Sequence, residues 1–272
     1  VEEGAIQCGY CTPAMVVNGV HLVESNSSPT DEDIKTCISA TICRCTGYTK
    51  IEKAMQRAVS ECRSGVKSAR PDTSCLLSGQ PSHYMVVGKP VPQISSREKV
   101  TGNALYTDDI RLPNPLFVKI LRSPHASANI RSVDVSKARE LPGVRGIVTG
   151  NDFKHTFGVL PMSKDEPAIA KELVRYIGEP VAAVAAESEA IADLATTLIE
   201  VEYEVTEACL DMKKALKSTA TPIHPELKRE NNLHKHVLQE FGDLDRGFAD
   251  AALTVENKFE FASVTHAFTE PH

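Results

Sequence analysis

Hydrophobic positions recur at helical spacing through the first part of the chain, up to about residue 62. Helix starts are predicted at Thr12-Pro13, Thr30 and Thr49, because Thr is a favoured N-cap and Pro suits the first helical position. Thr49 also opens a capping box with the acidic residue three positions later. The apolar stripe of the first helix consists of Val16, Val17, Val20 and Val23. We expect residues 1–62 to form a small helical domain.

The pattern changes in residues 63–96, where Ser, Gly, Pro and Lys dominate without a sustained period, which is typical of a linker. From residue 97 to 206, short apolar or alternating runs predict strands, and one apolar run leads into a helix. The predicted strands are 116–121, 130–135, 146–149, 181–186 and 199–205, with the helix at 187–198. This alternation predicts a strand–helix–strand unit within an α+β domain.

Residues 207–272 have a weaker pattern, with a short helix near 212–216 and a strand-like run at 253–261. The predicted fold class is therefore multidomain, α and α+β, with a small helical domain followed by an α/β domain and a further segment. The chain begins at Val1 without Met and ends abruptly at His272. We expect it to be an internal part of a longer protein.

Composition narrows the class without defining the function. The 272 residues are 42 % hydrophobic and 24 % charged, which is ordinary for a soluble protein of two domains or more. A net charge of −6 gives no basic surface for nucleic acid or an anionic membrane. No apolar run reaches the roughly 18–20 residues that a membrane-spanning helix needs. We expect neither a nucleic-acid partner nor a membrane partner.

Cysteine placement is more informative than the cysteine count. Seven of the eight cysteines lie in the first 75 residues, and four of these form two close pairs, Cys8 with Cys11 and Cys43 with Cys45. A disulfide scaffold would spread its cysteines through a small, loop-rich domain. The clustering instead favours a local metal site in a reducing compartment, so we predict a cytoplasmic protein.

Four thiolates can hold zinc or an iron–sulfur cluster. The one-residue gap between Cys43 and Cys45 is unusual for a structural zinc site, and both pairs precede predicted helix starts, whose free N–H groups favour an anionic cluster. Zinc, disulfides and uncoordinated thiols remain alternatives. Cys37 is expected to pack as a small apolar residue, and Cys62, Cys75 and Cys209 show no pairing pattern.

The residues around these pairs identify a family resemblance. Gln7 through Pro13 (QCGYCTP) and Cys43 through Tyr48 (CRCTGY) resemble the second iron–sulfur domain of the molybdenum hydroxylases, which include xanthine dehydrogenase, aldehyde oxidase and aldehyde oxidoreductase. Further landmarks resemble the family's α/β hammerhead domain and the start of its molybdopterin-binding domain. They are Lys99–Gly102, Tyr106–Asp109, Arg122–Ala126, Gly178–Ala182 and His266–His272.

The resemblance implies a domain order along the chain. It assigns residues 1–62 to the 2Fe–2S domain, 97–206 to the hammerhead domain, and 207–272 to the start of the molybdopterin-binding domain. Only the linker would join the 2Fe–2S domain to the hammerhead domain, with no flavin domain between them. That arrangement resembles the flavin-free aldehyde oxidoreductases, or enzymes whose flavin lies on another subunit.

The resemblance also implies an activity and its cofactors. An oxidoreductase of this type hydroxylates an aldehyde or an N-heterocycle at molybdopterin, and electrons leave through a 2Fe–2S cluster held by Cys8, Cys11, Cys43 and Cys45. Gln7 matches the family glutamine that hydrogen-bonds the pterin, and Cys45 matches the ligand whose surroundings touch it. No catalytic residue is expected within the chain, which alone is predicted to be inactive.

The partners implied are a small-molecule substrate and either an acceptor protein or a separate flavin subunit, in a homodimer or a multi-subunit complex. An alternative of another class is a zinc-stabilised binding module without redox activity.

Overall fold

The computed structural model describes residues 1–66, 91–159, 164–228 and 231–270. Most of the predicted linker, Cys75 and His272 therefore lie outside the described residues. The chain forms two compact units, of which the first comprises Val1–Arg111 with Glu256–His272, and the second comprises Leu112–Val255. None of the helices in the described ranges is long and apolar enough to span a bilayer.

The first unit is helical. Its helices are α1 (Thr12–Ser25), α2 (Asp31–Ser39), α3 (Thr49–Ser64) and α4 (Ser96–Thr101), followed by a 3₁₀ turn at Thr107–Asp109. The Thr30 start is confirmed, because its side chain accepts from the Asp33 N–H while the Asp33 carboxylate accepts from the Thr30 N–H. The other two N-caps are wrong by one residue, since Cys11 caps α1 and Tyr48 caps α3.

The buried face of α1 also differs from the predicted valine stripe. Val17 and Val20 are 66 % and 51 % exposed, whereas Met15 and Gly19 are buried. A side-chain carbon at Gly19 would lie 2.7 Å from the Met55 sulfur of α3, so the two helices pack closely because this position is glycine. The small core that results consists of Met15, Ile38, Cys43 and Ile51.

The second unit contains eight strands, four α-helices and two 3₁₀ turns in the described ranges. The strands are β1 (Phe117–Arg122), β2 (Ala128–Asp134), β3 (Val144–Thr149), β4 (Thr156–Phe157), β5 (Glu166–Pro167), β6 (Leu173–Val174), β7 (Pro180–Ala186) and β8 (Glu200–Val205). The helices are α5 (Ser136–Glu140), α6 (Glu189–Thr197), α7 (Met212–Ala215) and α8 (Leu244–Ala249). The predicted strand at 253–261 is wrong, because this exposed segment has no regular structure.

All strand pairs of the second unit are antiparallel. The sheets have the orders β1-β7-β3, β6-β2-β8 and β4-β5. Strand β7, helix α6 and strand β8 follow one another as predicted, but β7 and β8 belong to different sheets. Successive residues of β7 contribute to two core clusters, Val181 to one and Ala182 and Val184 to the other, which explains why this strand reads as a continuous apolar run.

Candidate metal centre

The first unit brings the four predicted cysteines together from two loops. Cys8 and Cys11 lie in the loop that leads into α1, and Cys43 and Cys45 lie in the loop between α2 and α3. The Cys45 thiol donates to the Cys8 sulfur at 3.3 Å. Cys11 packs against the core cluster that contains Cys43, and the interaction of these two thiols raises the pKa of Cys11 and lowers that of Cys43. Each loop therefore contributes one member to each of two sulfur pairs.

Side-chain and backbone contacts fix the second loop. The Tyr48 hydroxyl accepts from the Cys43 N–H at 2.8 Å and donates to the Thr41 carbonyl at 3.3 Å. The Thr46 hydroxyl lies 3.2 Å from the Cys43 sulfur. Gly47 and Tyr48 both have positive φ, which turns the chain sharply from the second pair into α3. This turn, rather than a capping box at Thr49, starts the helix.

The environments of the thiols differ. Burial raises the pKa of Cys11 to about 12, with a further contribution from its hydrogen bond to Cys43. Burial also raises the pKa of Cys45. For Cys43 burial opposes ionisation, but hydrogen bonds from Thr46, Cys11 and the Cys45 backbone outweigh it and lower the pKa. The thiolate is the form that binds metal, so these hydrogen bonds favour the form of Cys43 that can coordinate.

Nowhere in the described part of the chain do three or more His, Cys, Asp or Glu side chains form a group that could hold one metal ion. The four thiols of the two loops are instead arranged as two pairs. Such a donor set fits a centre of two metal ions in which each ion receives two sulfurs, as in a cluster of two irons.

A second layer around the first loop comes from residues that follow the predicted linker. The Lys99 ammonium donates to the Gln7 carbonyl at 2.8 Å, and the Tyr106 hydroxyl donates to the Cys8 carbonyl at 3.0 Å. The rings of Tyr10 and Tyr106 meet edge to face, with centroids 5.2 Å apart. In the sequence, Lys99 and Tyr106 stand out only as members of motifs that resemble the hammerhead domain. No local pattern indicates that they contact the cysteine loop.

Arg44, between the two cysteines of the second loop, contacts the other end of the chain. Its guanidinium donates to the Thr265 carbonyl at 2.8 Å and to the His266 carbonyl at 2.7 Å. The Gln7 side chain is exposed at the surface of the first loop. The side chains of Gln7 and Arg44 are thus both exposed, but within the described residues only that of Arg44 is engaged by another segment of the chain.

The remaining cysteines of the described residues lie apart from these pairs. Cys37 is partly buried on α2, and this burial raises its pKa. Cys62 on α3 is exposed, and Cys209 in the second unit is partly buried.

Two family matches cover most of the chain. Residues 1–56 match the family described as "[2Fe-2S] binding domain". Residues 101–207 match the family described as "Aldehyde oxidase and xanthine dehydrogenase, a/b hammerhead domain". The pair of matches defines a class, namely oxidoreductases that join an iron–sulfur domain to a hammerhead domain.

Individual relatives agree with this class. The chain is 30 % identical over its whole length to the probable hypoxanthine oxidase XdhD of Escherichia coli (strain K12), of which it covers 32 %. It is also 30 % identical over its whole length to the aldehyde oxidoreductase of Megalodesulfovibrio gigas, covering 31 % of that protein. The solved aldehyde oxidoreductase of Desulfovibrio desulfuricans matches 83 % of the chain with a TM-score of 0.64 and 27 % identity, over 26 % of its own length.

The chain belongs to the molybdenum hydroxylase family of xanthine dehydrogenases and aldehyde oxidases. It spans about a third of the length of the first curated relatives that it matches.

Proposed function

We propose that the chain is part of a molybdenum-dependent hydroxylase and that Cys8, Cys11, Cys43 and Cys45 bind its 2Fe–2S cluster. The observation that carries this proposal is the convergence of the four thiols as two pairs. When bound, the cluster supplies one-electron transfer between the molybdopterin site and an acceptor. The match of residues 1–56 to [2Fe-2S] binding domains supports the assignment.

The contact between two of the sulfurs also indicates which cysteines would hold each iron of the cluster. A tetrahedral metal with bonds to sulfur of about 2.3 Å places two ligand sulfurs roughly 3.8 Å apart. The Cys8 and Cys45 sulfurs, 3.3 Å apart, need to separate only slightly to reach this spacing. We therefore propose that Cys8 and Cys45 would hold one iron of the cluster, which leaves Cys11 and Cys43 to hold the other.

Gln7 is proposed to bind the pterin, together with the surroundings of Cys45. Its main-chain carbonyl is held by Lys99, while its amide side chain is exposed and can both donate and accept. The Gln7 amide therefore extends from a main chain that Lys99 holds in place, directly before the proposed ligand Cys8. Residues 207–272 are proposed to belong to the molybdopterin-binding part of the protein.

The substrate class follows from the relatives and remains a proposal for this chain. Relatives named for aldehydes, hypoxanthine and nicotinate support an aldehyde or an N-heterocycle as substrate. One relative is named as the gamma subunit of a dehydrogenase complex, which supports a multi-subunit assembly with the acceptor or a flavin on another subunit. We propose a cytoplasmic location, because the cysteine ligands need a reducing compartment.

Spectroscopy of the anaerobically purified protein tests the cluster. We expect absorption between roughly 400 and 600 nm that bleaches with dithionite, with two irons for each chain. Replacing Cys43 or Cys45 by Ser should remove this absorption, whereas the matched variants Cys37→Ser and Cys62→Ser should keep it, because these thiols lie apart from the sulfur pairs. Circular dichroism checks that each variant is folded. A colourless protein with stoichiometric zinc would establish the zinc-stabilised binding module instead.

A further inference from the structure

We propose that Lys99 and Tyr106 are positioning residues for the cluster, acting across the linker on the loop that carries Cys8 and Cys11. The inference rests on the proposed function, because it assigns a role relative to the cluster ligands. We call the two residues the Lys99–Tyr106 brace. Neither residue is a ligand, and both reach the loop through its main-chain carbonyls.

The brace holds two consecutive carbonyls of the loop. Lys99 binds the Gln7 carbonyl and Tyr106 binds the Cys8 carbonyl. A peptide unit is planar, so fixing a carbonyl also fixes the direction of the N–H of the next residue. The brace therefore sets the directions of the Cys8 and Gly9 N–H groups in the loop that carries two of the proposed ligands.

Lys99 reaches the ligand loop through one peptide unit. The Gln7 carbonyl that it binds belongs to the same peptide unit as the Cys8 N–H. An ammonium bound to the carbonyl end of this unit polarises it and strengthens the N–H as a donor. Lys99 thus acts on the main chain of Cys8, whose sulfur lies 3.3 Å from that of Cys45.

Packing shows that the loop and the brace are shaped for each other. Gly9 has φ +85°, and a side-chain carbon there would lie 2.5 Å from Cδ and 2.6 Å from Cγ of Lys99. The aliphatic part of Lys99 occupies the space that any other residue at position 9 would need. Tyr106 is held in turn by its edge-to-face contact with the Tyr10 ring. The brace therefore contacts every residue from Gln7 to Tyr10.

The brace has a consequence for electron transfer. Reduction makes a thiolate-bound cluster more negative, so a donor N–H and a nearby ammonium stabilise the reduced form and raise its potential. Removing Lys99 should lower the potential without removing a ligand. Removing the Tyr106 hydroxyl should leave the charge unchanged and loosen the loop.

A redox titration of the holoprotein followed by electron paramagnetic resonance tests the effect of Lys99. In Lys99→Met we expect about a tenfold lower ratio of reduced to oxidised cluster at a fixed potential near the wild-type midpoint, which corresponds to about 59 mV for one electron. Lys99→Arg should restore most of the wild-type ratio. Lys35→Met removes the same charge from an exposed position on α2 and should leave the ratio unchanged. Equal midpoints for wild type and Lys99→Met, at equal iron content, would overturn the proposal.

Amide hydrogen exchange separates failure of the brace from failure of the proposed function. We expect Lys99→Met and Tyr106→Phe to speed exchange in residues 7–11 about tenfold, the effect of losing one hydrogen bond of this kind. Exchange in α2 serves as the internal control and should not change. If the wild-type protein contains no iron but the loop still exchanges faster in the variants, the cluster assignment fails and the brace stands. If iron is present and exchange is unchanged, the brace fails and the cluster stands.

Discussion

At the scale of single residues, the centre depends on backbone conformations that few side chains permit. Gly9 and Gly47 both have positive φ; Gly9 directly follows Cys8 in the first loop, and Gly47 lies two residues after Cys45 in the second. A Cβ would meet nothing within 4 Å at Gly47, whereas at Gly9 it would meet Lys99. The two glycines therefore serve different needs, since Gly47 is required for the turn and Gly9 for both the turn and the packing.

Gly9→Ala is expected to destabilise the first unit by about 1–2 kcal/mol from the left-handed backbone, with an additional cost for displacing Lys99. Gly65→Ala is the matched control, because Gly65 has φ +64° and open space around it. Thermal or denaturant unfolding of both variants measures the difference. If the two substitutions cost the same, the contact between Gly9 and Lys99 contributes nothing.

At the scale of the elements, some helix starts could be predicted from sequence and others could not. The start at Thr30 was predicted correctly because its cap involves only Thr30 and Asp33. The side chain of each accepts a hydrogen bond from the backbone N–H of the other. Thr12 and Thr49 were wrong by one residue because the cysteine loops end in turns, so that Cys11 and Tyr48 take the N-cap positions. The buried face of α1 could not be predicted either, since it is selected by close packing against Met55.

The cap of α2 gives a pH dependence with a definite sign. Hydrogen bonds from the Thr30 backbone and hydroxyl lower the pKa of Asp33 below its ordinary value of about 3.9. The carboxylate therefore stabilises the fold above that ordinary pKa, and this contribution is lost as the pH falls through the lowered pKa.

We expect wild type to lose thermal stability more steeply than Asp33→Asn between about pH 4 and pH 2, below the ordinary pKa of the group. Unfolding midpoints of both proteins across this range and at neutral pH provide the measurement. Glu32→Gln, which removes an exposed carboxylate from the same turn, should reproduce the wild-type profile. Parallel profiles for wild type and Asp33→Asn would contradict the role of this cap.

At the scale of the whole molecule, each unit has a core of its own. The first core is built from helix residues and a candidate ligand, Cys43. The cores of the second unit lie on both sides of β7. The longer strands of the second unit and helix α6 could be predicted in order, because periodicity is a local property, whereas the two-residue strands β4, β5 and β6 are too short to show a period. The division of these strands between sheets could not, because it depends on pairing between distant segments.

Val184→Ala tests the core of the second unit. The side chain is fully buried in β7, so its truncation should cost about 2 kcal/mol of unfolding free energy through lost burial and the cavity that remains. Val118→Ala in the adjacent strand β1 is the control, since Val118 is 59 % exposed, and it should cost less than about 0.5 kcal/mol. Denaturant unfolding measures both, and equal losses would argue against a core centred on β7.

The sequence by itself determined the cysteine spacing, the main helical and strand regions, and the motifs of the family. Each of these features is formed by residues that lie close together along the chain. Only the tertiary structure decided how the sulfurs pair and which residues support them. Lys99 and Tyr106 lie 92 and 98 positions from the carbonyls that they bind. A contact over such a distance produces no period and no motif, since it arises only when the chain folds back on itself and two main-chain carbonyls require donors.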